Sequence, residues 1–401
     1  MPAITQTRAR SSGIVIAVLG AVSFCHLLND LMQALLPAVY PILRGEFSLS
    51  FAQVGVLTLV YQITASILQP LIGFYTDERP LPYSLPVAML ASMVGLVTLA
   101  FAPGYGALLA GAAMLGLGSS IFHPESSRIA RLASGGAHGL AQSVFQVGGN
   151  FGSALGPLCA AYVVLPRGQA GLAWFAIAAA GGMVIMTGLS RWYRRQGRAR
   201  RPATRAIRPA LITRGKTRLA LAILVVLIFS KYIYLASITN YYTFYLMHRF
   251  GLTIQSAQIC QFVFFAAVAS GTVIGGPVGD RVGRKRVIWA SILGVVPFTL
   301  ALPYVGFPAT IALSVVIGVV ISSAFPAIVV YAQELVPGRT GMISGLFFGL
   351  IFGVGGIGAA VLGSLADRYG IAFVYQLCSC LPLIGLLAAL LPDIESTAHR
   401  P

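Results

Sequence analysis

The chain has 401 residues, of which 57% are hydrophobic and only 9% charged, against roughly 25% charged in an ordinary soluble domain. That balance excludes a soluble globular fold and describes a polytopic membrane protein, because about 20 mostly apolar residues cross the hydrocarbon core and the chain contains little else. The net charge of +17 would suit a nucleic-acid binder, but the basic residues follow the alternation of the loops, which excludes that class.

Twelve apolar stretches read as membrane helices: 14–40, 51–75, 84–103, 106–131, 137–165 and 170–190, then 219–246, 254–278, 287–304, 308–335, 341–366 and 371–391. On the side of the N-terminus lie Arg8, Arg10, Arg79, Arg128, Arg131, eleven basic residues between Arg191 and Arg218, four between Arg281 and Arg286, Arg339 and Arg400. The other side holds Arg44, Arg167, Arg249 and Arg368. Positive loops stay inside, so both termini are expected in the cytoplasm. The first apolar run follows basic residues as a signal peptide would, yet it is too long and offers Phe24 before Cys25 where cleavage needs small residues. It is expected to remain as the first span. All five cysteines fall in apolar segments, which points to neither a disulfide framework nor a metal site.

In the first span, His26, Asn29, Asp30 and Gln33 follow i, i+3, i+4, i+7 and share one helix face. An ionised group at mid-membrane costs about 2.5–3.5 kcal/mol on insertion scales, so Asp30 is expected to face a cavity or a partner. His26, one turn away, belongs to the residue type that titrates nearest cellular pH. The two are candidates for proton coupling, with Asn29 and Gln33 beside them for substrate; the alternative is a stripe that only knits helices together. Asp77, at the end of the second span, is a candidate for locking or gating the cytoplasmic ends.

The fourth span carries FHPESSR, with His123, Glu125 and Arg128 within two turns. Pro124 removes an amide hydrogen there, and a local kink is expected. Glu125 can pair with Arg128 at i+3 as a structural latch, or accept a proton when Arg128 swings away; His123 is the second histidine candidate. The fifth span adds Gln142, Gln146, Asn150 and Ser153 as another polar stripe, with Gly148, Gly152 and Gly156 at every fourth residue before Pro157. The amides are candidate substrate ligands and the glycines a close helix-packing face.

A basic, proline-containing stretch at 191–218 reads as a cytoplasmic linker between an N-terminal six-helix bundle, 1–190, and a C-terminal one, 219–401. In the seventh span Lys231 shares a face with Tyr234, Tyr241 and Tyr245. A cation beside phenols suits an anionic or aromatic substrate, and an ion pair between Lys231 and Asp30 is the bland alternative. Further on, Asp280, Arg281 and Arg284 are expected to lock helix ends or gate, and Glu334, near Arg339, to be structural.

Gly73 and Asp77 recur 203 residues later as Gly276 and Asp280, and SSIF at 119–122 recurs as SSAF at 322–325 with the same offset. A constant offset of half the chain means duplication. Parallel repeats flanking a midplane cavity are a known transporter architecture. The segment GGPVGDRVGRKR resembles the cytoplasmic loop signature of the major facilitator superfamily, while its first-half counterpart GFYTDERP keeps Gly73 and Asp77 but lacks the later glycine and basic pair. GSSIFHPESSRIARLASGG followed by AQSVFQVGGNFGSALGP closely resembles the fourth and fifth helices of the fosmidomycin resistance exporters, and the glycine repeat of the fifth helix resembles the superfamily's antiporter motif.

The resemblance implies an all-α membrane protein of twelve helices in two pseudo-symmetric bundles. It also implies a proton-coupled drug antiporter of the bacterial inner membrane that exports fosmidomycin-like antibiotics or related small molecules. Its partners would be that solute, protons and the bilayer, with no cofactor and no nucleic acid, and it would work as a monomer. An importer or uniporter of an organic anion is the alternative in the same class. A membrane-embedded hydrolase using His123 and Glu125 is the alternative outside it, disfavoured because HExxH and GxSxG motifs are missing, and the missing GxxxxGK[ST] motif argues against ATP-driven pumping.

Overall fold

With no water in hydrocarbon to satisfy backbone amides and carbonyls, a chain this apolar closes its hydrogen bonds within helices. The structure, a computed structural model, describes residues 14–78, 81–135, 138–196, 213–336 and 340–392, and the regular structure of these residues is all helical. The first half comprises α1 (Ile16–Ala38), a short α2 (Tyr40–Phe47), α3 (Phe51–Glu78), α4 (Ser84–Ala100), α5 (Tyr105–Ala133), α6 (His138–Cys159) and α7 (Phe175–Gln196). The second comprises α8 (Arg214–Phe250), α9 (Ile254–Val282), α10 (Arg284–Leu293) continued by α11 (Val296–Ala301), α12 (Phe307–Ser322) continued by α13 (Ala324–Leu335), α14 (Thr340–Tyr369) and α15 (Ile371–Ser379), which runs on as 3₁₀ turns over Leu381–Leu390. Among the described residues, eleven helical segments are long and apolar enough to cross a membrane, and α4, with 17 residues, is a shorter apolar helix. Together they make the twelve passes of two six-helix bundles.

Helix ends differ from the sequence reading where backbone bonding outruns hydropathy. α7 continues to Gln196 and α8 starts at Arg214, so both ends of the 191–218 linker are helical; 197–212 lie outside the described residues. The chain ends 1–13 and 393–401, on which the reading of the termini falls, lie outside them too. α5 runs through Pro124 without interruption. The break at the corresponding place in the second half comes at Ser323, between α12 and α13.

Small residues set how closely the helices approach, as expected where dispersion rather than hydrophobicity drives association. α6 lies against α1 with Gly148 on the Ser23 carbonyl, Gly152 on the Leu27 carbonyl and Gly156 against Ala34, each contact too tight for an added Cβ. Ser23 Oγ donates to the Val144 carbonyl across the same seam at 2.7 Å. Between the halves, α3 packs along α14 and α6 along α9, while α1 approaches α8. At the end carrying the basic loops, Arg128 donates to the Thr76 carbonyl at 2.6 Å and pins α5 to α3. Arg284 pairs there with Glu334 at 3.4 Å, joining α10 to α13. Arg339, the neighbour expected for Glu334, lies outside the described residues.

Candidate functional site

The α1 stripe folds as its spacing requires, with its polar atoms turned toward α5, α6 and the middle of the molecule. Asp30 is held between two imidazoles: Oδ2 lies 3.3 Å from His26 Nε2 and Oδ1 lies 3.3 Å from His123 Nε2 on α5. Asn29 Nδ2 donates to Asp30 Oδ1 at 3.0 Å. The sequence placed His26 beside Asp30, but only packing of α5 against α1 brings in His123.

Both rings are fixed from behind. His26 Nδ1 lies 2.8 Å from the Phe145 carbonyl on α6, and the Phe145 ring stacks on the imidazole with centroids 3.9 Å apart. His123 Nδ1 lies 3.0 Å from the Ser119 carbonyl one turn back. A carbonyl oxygen only accepts, so a ring that bonds one donates from Nδ1 and, when neutral, presents a bare Nε2 to the carboxylate; at His123 the Ser119 hydroxyl, 3.3 Å from Nδ1, is a second neighbour. A proton shared at either Nε2–Asp30 contact would sit on the ring or on the carboxyl. The His26 Nε2 contact is an ion-pair distance without hydrogen-bond alignment, and among the described residues this nitrogen has no hydrogen-bond partner.

Gly149 completes the arrangement. A Cβ there would stand 2.5 Å from His26 Cε1, 2.6 Å from its Nε2 and 2.7 Å from Asp30 Oδ2. The backbone of α6 thus anchors one side of His26 through residue 145 and leaves room for the other through residue 149. Among the described residues, this trio is also the one whose ligand atoms, within 4.8 Å of one another, are close enough to hold a metal ion.

Asp30 and His123 open onto a cavity of about 340 Å³ between the two halves. Gln33, Gln146, Asn150 and Ser153 of the predicted stripes line it. Asn29 is buried behind Asp30, and Gln142 is outside, accepting a hydrogen bond from Ser127 Oγ at 3.0 Å. Glu125 is buried away from the cavity with Arg128 at 3.2 Å.

The second half differs from the sequence reading. Lys231 is buried with its Nζ 5.3 Å from the Tyr232 ring, and the ion pair with Asp30 does not form, since both Asp30 oxygens face histidines. Tyr234 is buried within the second half, and Tyr241 donates to the Ala359 carbonyl at 2.6 Å. The stripe of α8 that lines the cavity is Tyr232, Thr239 and Asn240, beginning one residue on from Lys231, about 100° round the helix. Asp77 and Asp280 stand in α3 and α9, with side chains outside the described residues. Arg281 is exposed at the end of α9.

Sequence reasoning missed Thr58, Tyr61 and Gln62, which line the cavity from α3. Their i, i+3, i+4 spacing is the signal that marked α1, and it was available. Tyr61 donates to Gln33 Oε1 at 2.5 Å, and Thr58 donates across the halves to Asn240 Oδ1 at 2.7 Å. Phe352 of α14, its ring centroid 6.4 Å from that of His123, carried no polar signal at all.

Two six-helix bundles around a central cavity with polar groups in its wall have the architecture of a transporter. The chain belongs to the Major Facilitator Superfamily, whose family model matches residues 22–261 and again 224–401. It is 56% identical over 391 residues to the fosmidomycin resistance protein of Escherichia coli (strain K12), covering 98% of this chain and 96% of that protein. It is 42% identical to the uncharacterized MFS-type transporter YfnC of Bacillus subtilis (strain 168), covering 98% and 97%. Among solved structures, a D-xylose-proton symporter superposes with a TM-score of 0.76 at 17% identity, covering 96% of this chain and 99% of that one. A bacterial homologue of the human lysosomal transporter Spinster, inward-facing and occupied, gives 0.75 at 14%, covering 96% of each. At such identities these structures establish the fold alone.

Proposed function

We propose that this protein is a proton-coupled exporter of the bacterial cytoplasmic membrane, with both termini in the cytoplasm, which expels fosmidomycin-like antibiotics or related small organic molecules as a monomer by alternating access. The observation that carries the reading is the His26–Asp30–His123 trio at the wall of the cavity between the halves. It gathers groups able to exchange protons where the cavity would hold a solute. The similarity to the fosmidomycin resistance protein supports the substrate class and the direction.

Protons reaching the trio from outside change the charge at the cavity wall, so solute and proton bind the two bundle arrangements with different affinities, which is all that coupling requires. Glu125, paired with Arg128 away from the cavity, serves as a latch at the cytoplasmic end. Gln33, Gln146 and Asn150 orient the solute through neutral amides.

In inside-out vesicles, acidifying the lumen should drive uptake of fosmidomycin, and Asp30→Asn should abolish the gradient-driven part while the protein still elutes as a folded species. Uptake indifferent to the gradient in the parent protein would identify a uniporter. Retained coupling in Asp30→Asn would exclude Asp30 as the carrier.

A further inference from the structure

Helix α3 begins in the stretch SFAQ, and a helix start leaves its first amides without intrahelical partners. The chain's own cap satisfies part of them. Gln53 N–H donates to Ser50 Oγ at 3.1 Å and Ser50 N–H to Gln53 Oε1 at 2.9 Å, a reciprocal capping box. The Phe51 and Ala52 amides remain, and both donate to one carboxylate, Asp367, at 2.8 Å each. Asp367 stands in the last turn of α14, in the opposite half of the molecule. The positive end of the α3 dipole and two ionic hydrogen bonds favour this contact.

The contact lies at the end away from the basic loops, which is the outer end in the reading above. It closes a seam above the cavity: Gly363 of α14 lies against the Phe51 carbonyl, Gly55 of α3 against the Ala359 carbonyl, and Thr58 bonds Asn240 at the cavity wall. On the other side of Phe51, the Arg44 guanidinium stacks 4.2 Å from its ring centroid, and Phe244 of α8 meets it edge-on at 5.2 Å. Most of this seam is apolar or backbone contact. Asp367 is its one carboxylate among the described residues, and it is exposed at the rim, where water can replace the two amides as partners.

We infer that Asp367 is a detachable cap, the part of the α3 N-terminal cap supplied by the other half, and that it positions the outer gate closed. Parting the halves hydrates the carboxylate and the Phe51 and Ala52 amides, so the bonds bias the closed arrangement yet yield in each cycle. The inference rests on alternating access but on neither the solute nor the proton.

The test is external accessibility of the cavity. Thr239→Cys on the cavity wall, in the full chain embedded in membrane, is labelled by a membrane-impermeant maleimide added outside, with the rate corrected for the parent protein. Asp367→Ala should raise the rate at least several-fold, and Asp367→Asn, which keeps one acceptor oxygen, should raise it less. Ala52→Pro approaches the contact from the other side, because proline removes one donor and is tolerated in a first helical turn. It should also speed labelling, and combining it with Asp367→Ala should add little, as expected when both changes break one interaction. Unchanged rates in the folded single variants, or multiplied effects in the double, would overturn the assignment. If Asp367→Ala does not fold, Ala52→Pro decides alone. Neither result depends on fosmidomycin or a pH gradient, so the exporter reading stands or falls separately.

Discussion

Asp30 occupies the most demanding position in the chain, a carboxyl at mid-span whose ionised form is expensive to bury unless it is partnered. Its partners are two imidazoles, themselves fixed by backbone carbonyls. The position that makes the pairing sterically possible is Gly149. Gly149→Ala would push a methyl into both His26 and Asp30, a strain of about 1–3 kcal/mol if the pair holds and loss of the pair if it yields. The expected outcome is a fall in transport of about tenfold or more with an altered pH profile, measured as initial rates in vesicles across pH. Gly20→Ala, where an added Cβ meets nothing within 4 Å, should leave both unchanged. His26 and Asp30 were legible because residues four apart on a helix adjoin. Gly149 was not, since a glycine matters here only for what lies opposite it.

At the scale of the element, α6 serves two purposes on two faces. One turns Gln146, Asn150 and Ser153 to the cavity; the other presses Gly148, Gly152 and Gly156 against α1. Gly152→Leu should part these helices and lower the thermal midpoint by several degrees in detergent, whereas Gly188→Leu on α7, in open space, should not. The period of four made this packing face readable in sequence, but not its partner. The face of α8 that meets the cavity differs from the one its tyrosines suggest for a related reason: polar residues occur on more than one face, Tyr234 and Tyr245 are spent on contacts within the second half, and Tyr241 packs against Ala359 and Phe51 at the seam. Only Tyr232, Thr239 and Asn240 reach the cavity.

For the whole molecule, transport requires the halves to move, and the interface states where they touch. Ser66 on α3 donates to the Gly349 carbonyl of α14 at 2.7 Å, and a Cβ on Gly353 would lie 3.7 Å from Ser66 Oγ. Ser66→Cys with Gly353→Cys should therefore form a disulfide under mild oxidant, stop transport and release it on reduction, with each single substitution as the control for the native thiols. Transport that persists with the disulfide formed would mean that this part of the seam stays shut throughout the cycle.

The sequence by itself determined the twelve helices, the duplication and the polar stripe of α1, because hydropathy, a repeated offset and the 3.6-residue turn are properties of a chain and need no partner. The tertiary structure decided which polar groups meet. His123 reaches Asp30, Lys231 does not, and Asp367 caps a helix that starts 316 residues earlier. Such contacts depend on how far each helix is rotated and how closely its neighbour approaches. In a membrane these are set by the fit of small residues on both surfaces at once, which no single segment encodes.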